Sequence, residues 1–201
     1  MNKKNSRDLV GYGNKGKKVS WPNNAKLALQ IVLNYEEGGE NTPLNGDKYS
    51  ETFLSEIIGA KAIKGRHMNM ESLYEYGSRA GFWRIHKLFE KYNLPLTIFG
   101  VGMALERNLE ICDEIKKSNY EVASHGWRWI DYQNISKSIE KKHMIKSIEI
   151  IKRIFGKRPV GWYTGRCSPN TLGLVIDEGG FLYCSDTYSD DLPYWEIKGK
   201  K

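Results

Sequence analysis

The sequence predicts an α/β fold in which parallel strands alternate with helices. Three observations carry this expectation. Short, nearly continuous apolar runs recur along the chain, as in strands buried on both faces of a parallel sheet. The segments between them place apolar residues at helical spacing. Gly and Pro punctuate the joins.

Residues 1–24 are polar and rich in Gly, Asn and Lys, and are expected to form a leader lying over the surface. The domain is expected to occupy residues 25–201. Its first strand is read in Lys26–Leu33, and further strands in Leu96–Val101, Tyr120–Ala123, Val160–Tyr163 and Phe181–Cys184. Phe82, Ile85 and Phe89 share one helix face before Pro95, and Leu105, Leu109, Cys112 and Ile115 share another. Ser136–Phe155 repeats Ile148, Ile151 and Phe155 and meets a stop at Gly156, shortly before Pro159. Asn170–Glu178 reads as a shorter helix ended by Gly179-Gly180.

Such alternation fits an open doubly wound sheet or a closed β/α barrel. No GxGxxG follows an apolar strand run to open a helix, since Gly11–Gly16 has that spacing only within the polar leader, and there is no phosphate loop, which removes weight from a nucleotide-binding sheet. A regular barrel takes about eight strands, whereas about five are read here, so the chain is expected to stop short of closure.

With 201 residues, 40% hydrophobic and 27% charged, the chain can bury one sizeable core. No window reaches the ~18 apolar residues of a membrane span, and Met1–Val10 lacks an export signal, so a cytoplasmic protein without a membrane partner is expected. Cys112, Cys167 and Cys184 show no CxxC spacing, which argues for free thiols. The net charge of +7 is spread along helix faces and both termini, which argues against a nucleic-acid partner.

In a parallel β/α fold the connecting loops at the carboxyl ends of the strands open onto one face, where chemistry collects. Glu36-Glu37, Ser124-His125, Thr164-Gly165-Arg166 and Ser185-Asp186 all fall there. Each has a structural alternative: solvated charge for the glutamates, a satisfied structural histidine for His125, a loop-to-loop ion pair for Arg166, and a cap for Asp186. Asn69 or Ser78 as a helix cap and Arg79 as a surface charge are the simple readings of the loops before the second strand. Trp127, Trp129, Trp162 and Trp195 lie near the same face, where aromatic rings suit core packing or a flat organic substrate.

The segments Asn34-Tyr35-Glu36-Glu37-Gly38, Ser124-His125-Gly126, Arg166-Cys167-Ser168-Pro169 and Asp186 resemble, in order, the motifs of the polysaccharide deacetylase superfamily. The strings LNYEEGGEN, RHMNMES, YEYGSRAGFWR, ASHGWRWIDY, GWYTGRCSPNT and DDLPYW resemble its deacetylase-like allantoinase branch, from about Arg7 to Trp195. The resemblance implies a distorted β/α barrel of about seven strands, here truncated, and a hydrolase opening the allantoin ring to allantoate in purine and urate catabolism. It leaves a metal-dependent amino-sugar N-deacetylase, or an inactive truncated fragment, as alternatives. Loss of the final strands would expose the Phe181–Cys184 edge and favour homo-oligomers.

The superfamily's metal-dependent members carry an Asp-Asp pair and His-x-x-x-His. Here Glu36 and Glu37 replace the aspartates and Trp129 stands at the second histidine. An indole N–H has no lone pair for zinc, and a catalytic zinc takes about three protein ligands. Glu37 and His125 alone would hold a zinc-type ion weakly, so the implied reaction needs no cofactor and the small-molecule substrate is allantoin or a related cyclic ureide. Glu36 is then the expected base, Arg166 its orienting partner and His125 the acid or oxyanion stabiliser. Asn34, Tyr35, Glu37, Trp129 and Asp186 are the expected substrate contacts.

Overall fold

The computed structural model of the chain describes residues 7–196. The chain divides into two compact units, Met1–Gln30 and Ile31–Lys201. In the first, Asp8 Oδ1 accepts the backbone N–H groups of Val10 (3.0 Å) and Gly11 (2.9 Å), and a short 3-10 turn spans Pro22–Asn24.

In the second unit, strand β1 is Val32–Tyr35, shorter than the apolar run suggested. Leu27 and Leu29 are 74% and 78% exposed rather than buried in a strand. The reason lies in the neighbouring strand, which starts at Thr97 just after Pro95. Thr97 N–H donates to Ile31 O at 3.1 Å, but Pro95 has no N–H to extend the ladder upstream.

A long connection carries a two-stranded antiparallel ribbon, β2 (Tyr49–Ser50) and β3 (Ile63–Lys64). Helix α1 (Met68–Tyr76) follows, then a π-type turn over Gly77–Gly81 that runs into α2 (Phe82–Tyr92). Asn69 lies inside α1 and Ser78 inside the π-type turn, so neither is the cap expected. Arg79 is an exposed charge, 3.6 Å from Glu75. The buried face of α2 is Phe82, His86 and Phe89. Ile85, expected on that face, is 36% exposed, because the His86 ring occupies the space between Phe82 and Tyr120.

Strand β4 (Thr97–Gly100) leads to α3 (Gly102–Arg107) and α4 (Leu109–Lys117). The single stripe expected through Leu105, Leu109, Cys112 and Ile115 is broken between these helices. Asn108 leaves helical backbone geometry, and its Oδ1 accepts the Ile111 N–H at 3.3 Å to start α4 afresh. Leu109 consequently turns outward, and Ile111 is buried with Cys112 and Ile115. Strand β5 (Glu121–Ser124), helix α5 (Lys137–Phe155), strand β6 (Gly161–Trp162), helix α6 (Thr171–Glu178) and strand β7 (Tyr183–Cys184) complete the alternation. The helix ends obey the sequence signals. Ser136 caps α5 through the Ile139 N–H, while Gly156 (φ 74°) and Gly179 (φ 80°) end α5 and α6 in left-handed geometry.

The sheet order is β1-β4-β5-β6-β7, parallel throughout, which bears out the α/β expectation. Ile98, Val101, Leu105, Ile111, Cys112 and Ile115 are fully buried at its core. A second cluster joins Met144 on α5 to Trp162, Leu174 and Val175. Each such large apolar side chain contributes about 1.5–3 kcal/mol by leaving water. Among the described residues no helix is long and apolar enough to cross a membrane.

Candidate active site

The strand register brings one level of residues into line across the sheet. Tyr35 pairs with Gly100, Gly100 with Ser124, Ser124 with Trp162, and Trp162 with Cys184. Glu36, His125 and Tyr163 therefore leave their strands at the same carboxyl-terminal edge, as the parallel arrangement requires.

Two of these side chains meet. His125 is 1% exposed, and its Nε2 lies 3.0 Å from Glu36 Oε1. Its Nδ1 lies 3.1 Å from the Tyr163 carbonyl. A carbonyl only accepts, so Nδ1 carries a hydrogen; the Nε2–Oε1 contact then needs a second hydrogen, shared between imidazole and carboxylate. Asn34 Nδ2 donates to the same Oε1 at 3.1 Å, which leaves Glu36 Oε2 without a hydrogen bond among the described residues. The turn carrying His125 is anchored from behind. Ser124 Oγ contacts Ser147 Oγ on α5 at 2.7 Å, Ser147 Oγ donates to Gly126 O at 3.0 Å, and Gly126 takes φ 74°. The Tyr163 ring lies 4.8 Å from the imidazole and restricts its rotation.

Arg166 does not orient Glu36. Its Nη1 donates to Glu51 Oε2 at 2.8 Å, and its guanidinium lies 3.7 Å from the Trp129 ring centre and 5.1 Å from that of Phe53. The loop-to-loop ion pair is the reading that holds. Glu51 also accepts the N–H groups of Thr52 and Phe53, each at 2.9 Å, and Arg166 keeps its carboxyl below the usual range against the opposing cost of burial. Trp129, 7% exposed, forms the floor of this pair, with Phe53 and Tyr74 packed edge-on.

The remaining expected substrate contacts have structural duties. Tyr35 is 1% exposed, its ring edge-on to Phe82 and its hydroxyl 3.5 Å from Ser78 Oγ. Asp186 Oδ1 accepts the N–H groups of Thr164 and Gly165, each at 2.8 Å, so it shapes the turn before Arg166. Glu37 presses against the π-type turn, where a Cβ on Gly77 would lie 2.0 Å from its Oε1. Its Oε2 accepts the Glu36 N–H at 2.9 Å, and burial pushes its carboxyl up to about 7. The tryptophans do not form a common rim. Trp162 is a core residue, and Trp195 is 91% exposed.

Three contributors went unread in the sequence. Glu51 comes from the long connection after β1, Tyr74 from α1, and Arg128 from the loop after β5. Arg128 forks onto Asp47 at 3.0 and 2.5 Å and donates to Glu40 O at 2.7 Å, tying two loops together. The Tyr74 hydroxyl is buried without a hydrogen-bond partner among the described residues and lines, with Asn34, Glu36, Glu37 and Gly77, a cavity of about 330 Å³. The ASHGWRW string held the signal for Arg128, a charge set between two tryptophans beside a buried strand.

As a metal site, the set Glu37, His125 and Trp129 fits poorly. Both nitrogens of His125 are engaged, one carboxylate oxygen of Glu37 is held by backbone N–H, and the indole has no lone pair to offer.

A family model described as polysaccharide deacetylase matches residues 68–172. The solved structure of PuuE allantoinase is similar at 54% identity and a TM-score of 0.91, covering 96% of this chain and 65% of that one. A probable polysaccharide deacetylase of Pseudomonas aeruginosa PAO1 is similar at 57% identity and a TM-score of 0.91, covering 96% and 64% respectively. A candidate polysaccharide deacetylase of Schizosaccharomyces pombe is 42% identical over 202 residues, 94% of this chain and 62% of that protein. The chain thus spans a little under two thirds of the length of these relatives. Its parallel sheet and covering helices match the barrel-like fold of these proteins, and the chain belongs to the polysaccharide deacetylase family of hydrolases.

Proposed function

We propose that this chain carries the catalytic edge of a hydrolase that opens allantoin, or a closely related cyclic ureide, to the linear acid without a metal. The observation that supports it is the Glu36–His125 pair, 3.0 Å apart at the carboxyl edge of the sheet, together with the resemblance that sets Trp129 where metal-dependent relatives carry a second histidine. The similarity to PuuE allantoinase supports the substrate class.

In this reading Glu36 Oε2 takes a proton from water as its oxygen attacks the ring amide carbonyl. The tetrahedral intermediate collapses with cleavage of the carbon–nitrogen bond, and His125 Nε2 gives its proton to the leaving ring nitrogen. The proton gained at Oε2 returns to His125 Nε2 once the carboxylic acid group turns that oxygen toward the imidazole, which restores the starting pair. The imidazole keeps its orientation throughout because Nδ1 remains bonded to Tyr163 O. The unpartnered Tyr74 hydroxyl is available to donate to a substrate oxygen. In this reading the Arg166–Glu51 pair packs over Trp129 and takes no part in the chemistry.

The test is allantoate release by this chain and by a downstream-extended protein. Activity in the extended protein unchanged by chelator supports the proposal. Activity restored to chelated protein only by zinc or cobalt, or release of acetate from an N-acetylated sugar in place of allantoin hydrolysis, overturns it in favour of a metal-dependent N-deacetylase.

A further inference from the structure

A second histidine–glutamate group lies at the other end of β5. His86 on α2 is 3% exposed, its ring stacked on Phe82 with centroids 5.6 Å apart and edge-on to Tyr120 at 5.9 Å. Its Nδ1 is 3.4 Å from the Tyr120 hydroxyl. Its Nε2 faces Glu90 Oε2 at 3.4 Å and Glu114 Oε2 at 3.7 Å. Tyr120 precedes β5 and His125 follows it, so the two groups are separated by roughly 15 Å of extended chain.

The spacing within the group is the informative feature. An N–H···O hydrogen bond measures about 2.7–3.2 Å, shorter than either separation. Bonds of about 2.0–2.2 Å from a tetrahedral zinc-type ion place neighbouring donor atoms roughly 3.4 Å apart, which matches. The donor atoms of all three residues lie within 4.8 Å of one another. His86 and Glu90 project from consecutive turns of α2, and Glu114 faces them from α4. The other oxygen of Glu114, Oε1, is taken by Lys117 Nζ at 2.5 Å, leaving Oε2 for the group. The Tyr120 hydroxyl faces Nδ1 at 3.4 Å and is placed to orient the ring with Nε2 toward the two carboxylates. Side-chain exposures of 54% for Glu90 and 25% for Glu114 give an ion a path from solvent.

We infer that His86, Glu90 and Glu114 bind a divalent cation of the zinc class. One imidazole and two carboxylates favour zinc or cobalt over magnesium and calcium, which prefer all-oxygen sites. The ion clamps α2 to α4 on the amino side of the sheet and takes no part in the chemistry at Glu36 and His125.

The experiment is calorimetric titration of chelator-treated protein with zinc chloride, accompanied by cobalt(II) absorption spectra and melting curves. Saturable binding near one ion per chain and a rise in Tm with zinc are expected. Glu90→Gln with Glu114→Gln should weaken this binding at least about tenfold, while Glu37→Gln should leave it unchanged. Absence of binding by the wild-type protein overturns the inference. So does a double variant that folds and binds like wild type, or loss of binding on Glu37→Gln.

Discussion

His125 and His86 are buried almost equally, at 1% and 3% exposure, and each faces glutamate, yet their surroundings differ in ways that suit them to the two different roles proposed. His125 meets one carboxylate at hydrogen-bond distance, 3.0 Å, and its other nitrogen is tied to a backbone carbonyl. The pair must share a proton, as acid–base chemistry requires. His86 meets two carboxylates at 3.4 and 3.7 Å, and its other nitrogen faces a side-chain hydroxyl. That wider spacing leaves room for an ion in place of a proton. A few tenths of an ångström and the nature of the second partner separate the two proposed roles.

The largest test of this contrast is Glu36→Gln. Removing the proposed base should lower kcat for the proposed ring hydrolysis by about 10²- to 10⁴-fold, read in the extended protein; retention of most activity would remove Glu36 from the role. Next is Glu37, the adjacent carboxylate. Its carboxyl is raised from 4.5 to about 7, so its folded form favours the proton. Its stabilising contribution is present below pH 4.5 and is lost as pH rises through about 7. The loss amounts to about 3 kcal/mol. Denaturation of Glu37→Gln across this window should lack that decline, and identical pH slopes for the two proteins would count against it. Third, Glu51→Gln strands Arg166, which is 20% exposed in its side chain. A loss of about 2 kcal/mol is expected, below the range for a fully buried pair because of that exposure, with an altered Trp129 emission. The smallest effect sharpens the comparison most directly. Tyr120→Phe removes the hydroxyl facing His86 and should weaken zinc binding by about tenfold. Tyr163→Phe should leave the His125 tautomer unaltered, since that partner is a main-chain carbonyl; histidine NMR shifts distinguish the two cases.

The elements most readable from residues were those with a local physical cause. Ser136 and Gly156 bracket α5 because a hydroxyl can satisfy an orphan N–H and glycine can enter left-handed geometry. The clustering of Glu36 and His125 was readable because parallel strands deliver their carboxyl ends to one edge. The boundary of β1 was not, since it depends on Pro95, just ahead of β4. The choice of His86 over Ile85 for the buried face of α2 depends on Tyr120, more than thirty positions away. Arg166 was assigned to the wrong carboxylate for the same reason. Its partner Glu51 arrives on a long irregular connection whose path leaves no periodic trace in sequence.

What the sequence by itself determined was the alternation of parallel strands and helices and the sheet edge at which Glu36 and His125 meet, with no lone pair for a metal at Trp129. These follow from hydrophobic period, chain direction and the donor properties of single side chains. Only the tertiary structure decided that Glu36 is held by His125 and Asn34 rather than Arg166, that Glu37 turns into the protein against Gly77, and that His86, Glu90 and Glu114 converge. Pairings among charged side chains are set by distances of a few ångströms between segments remote in sequence, and no local pattern encodes those distances.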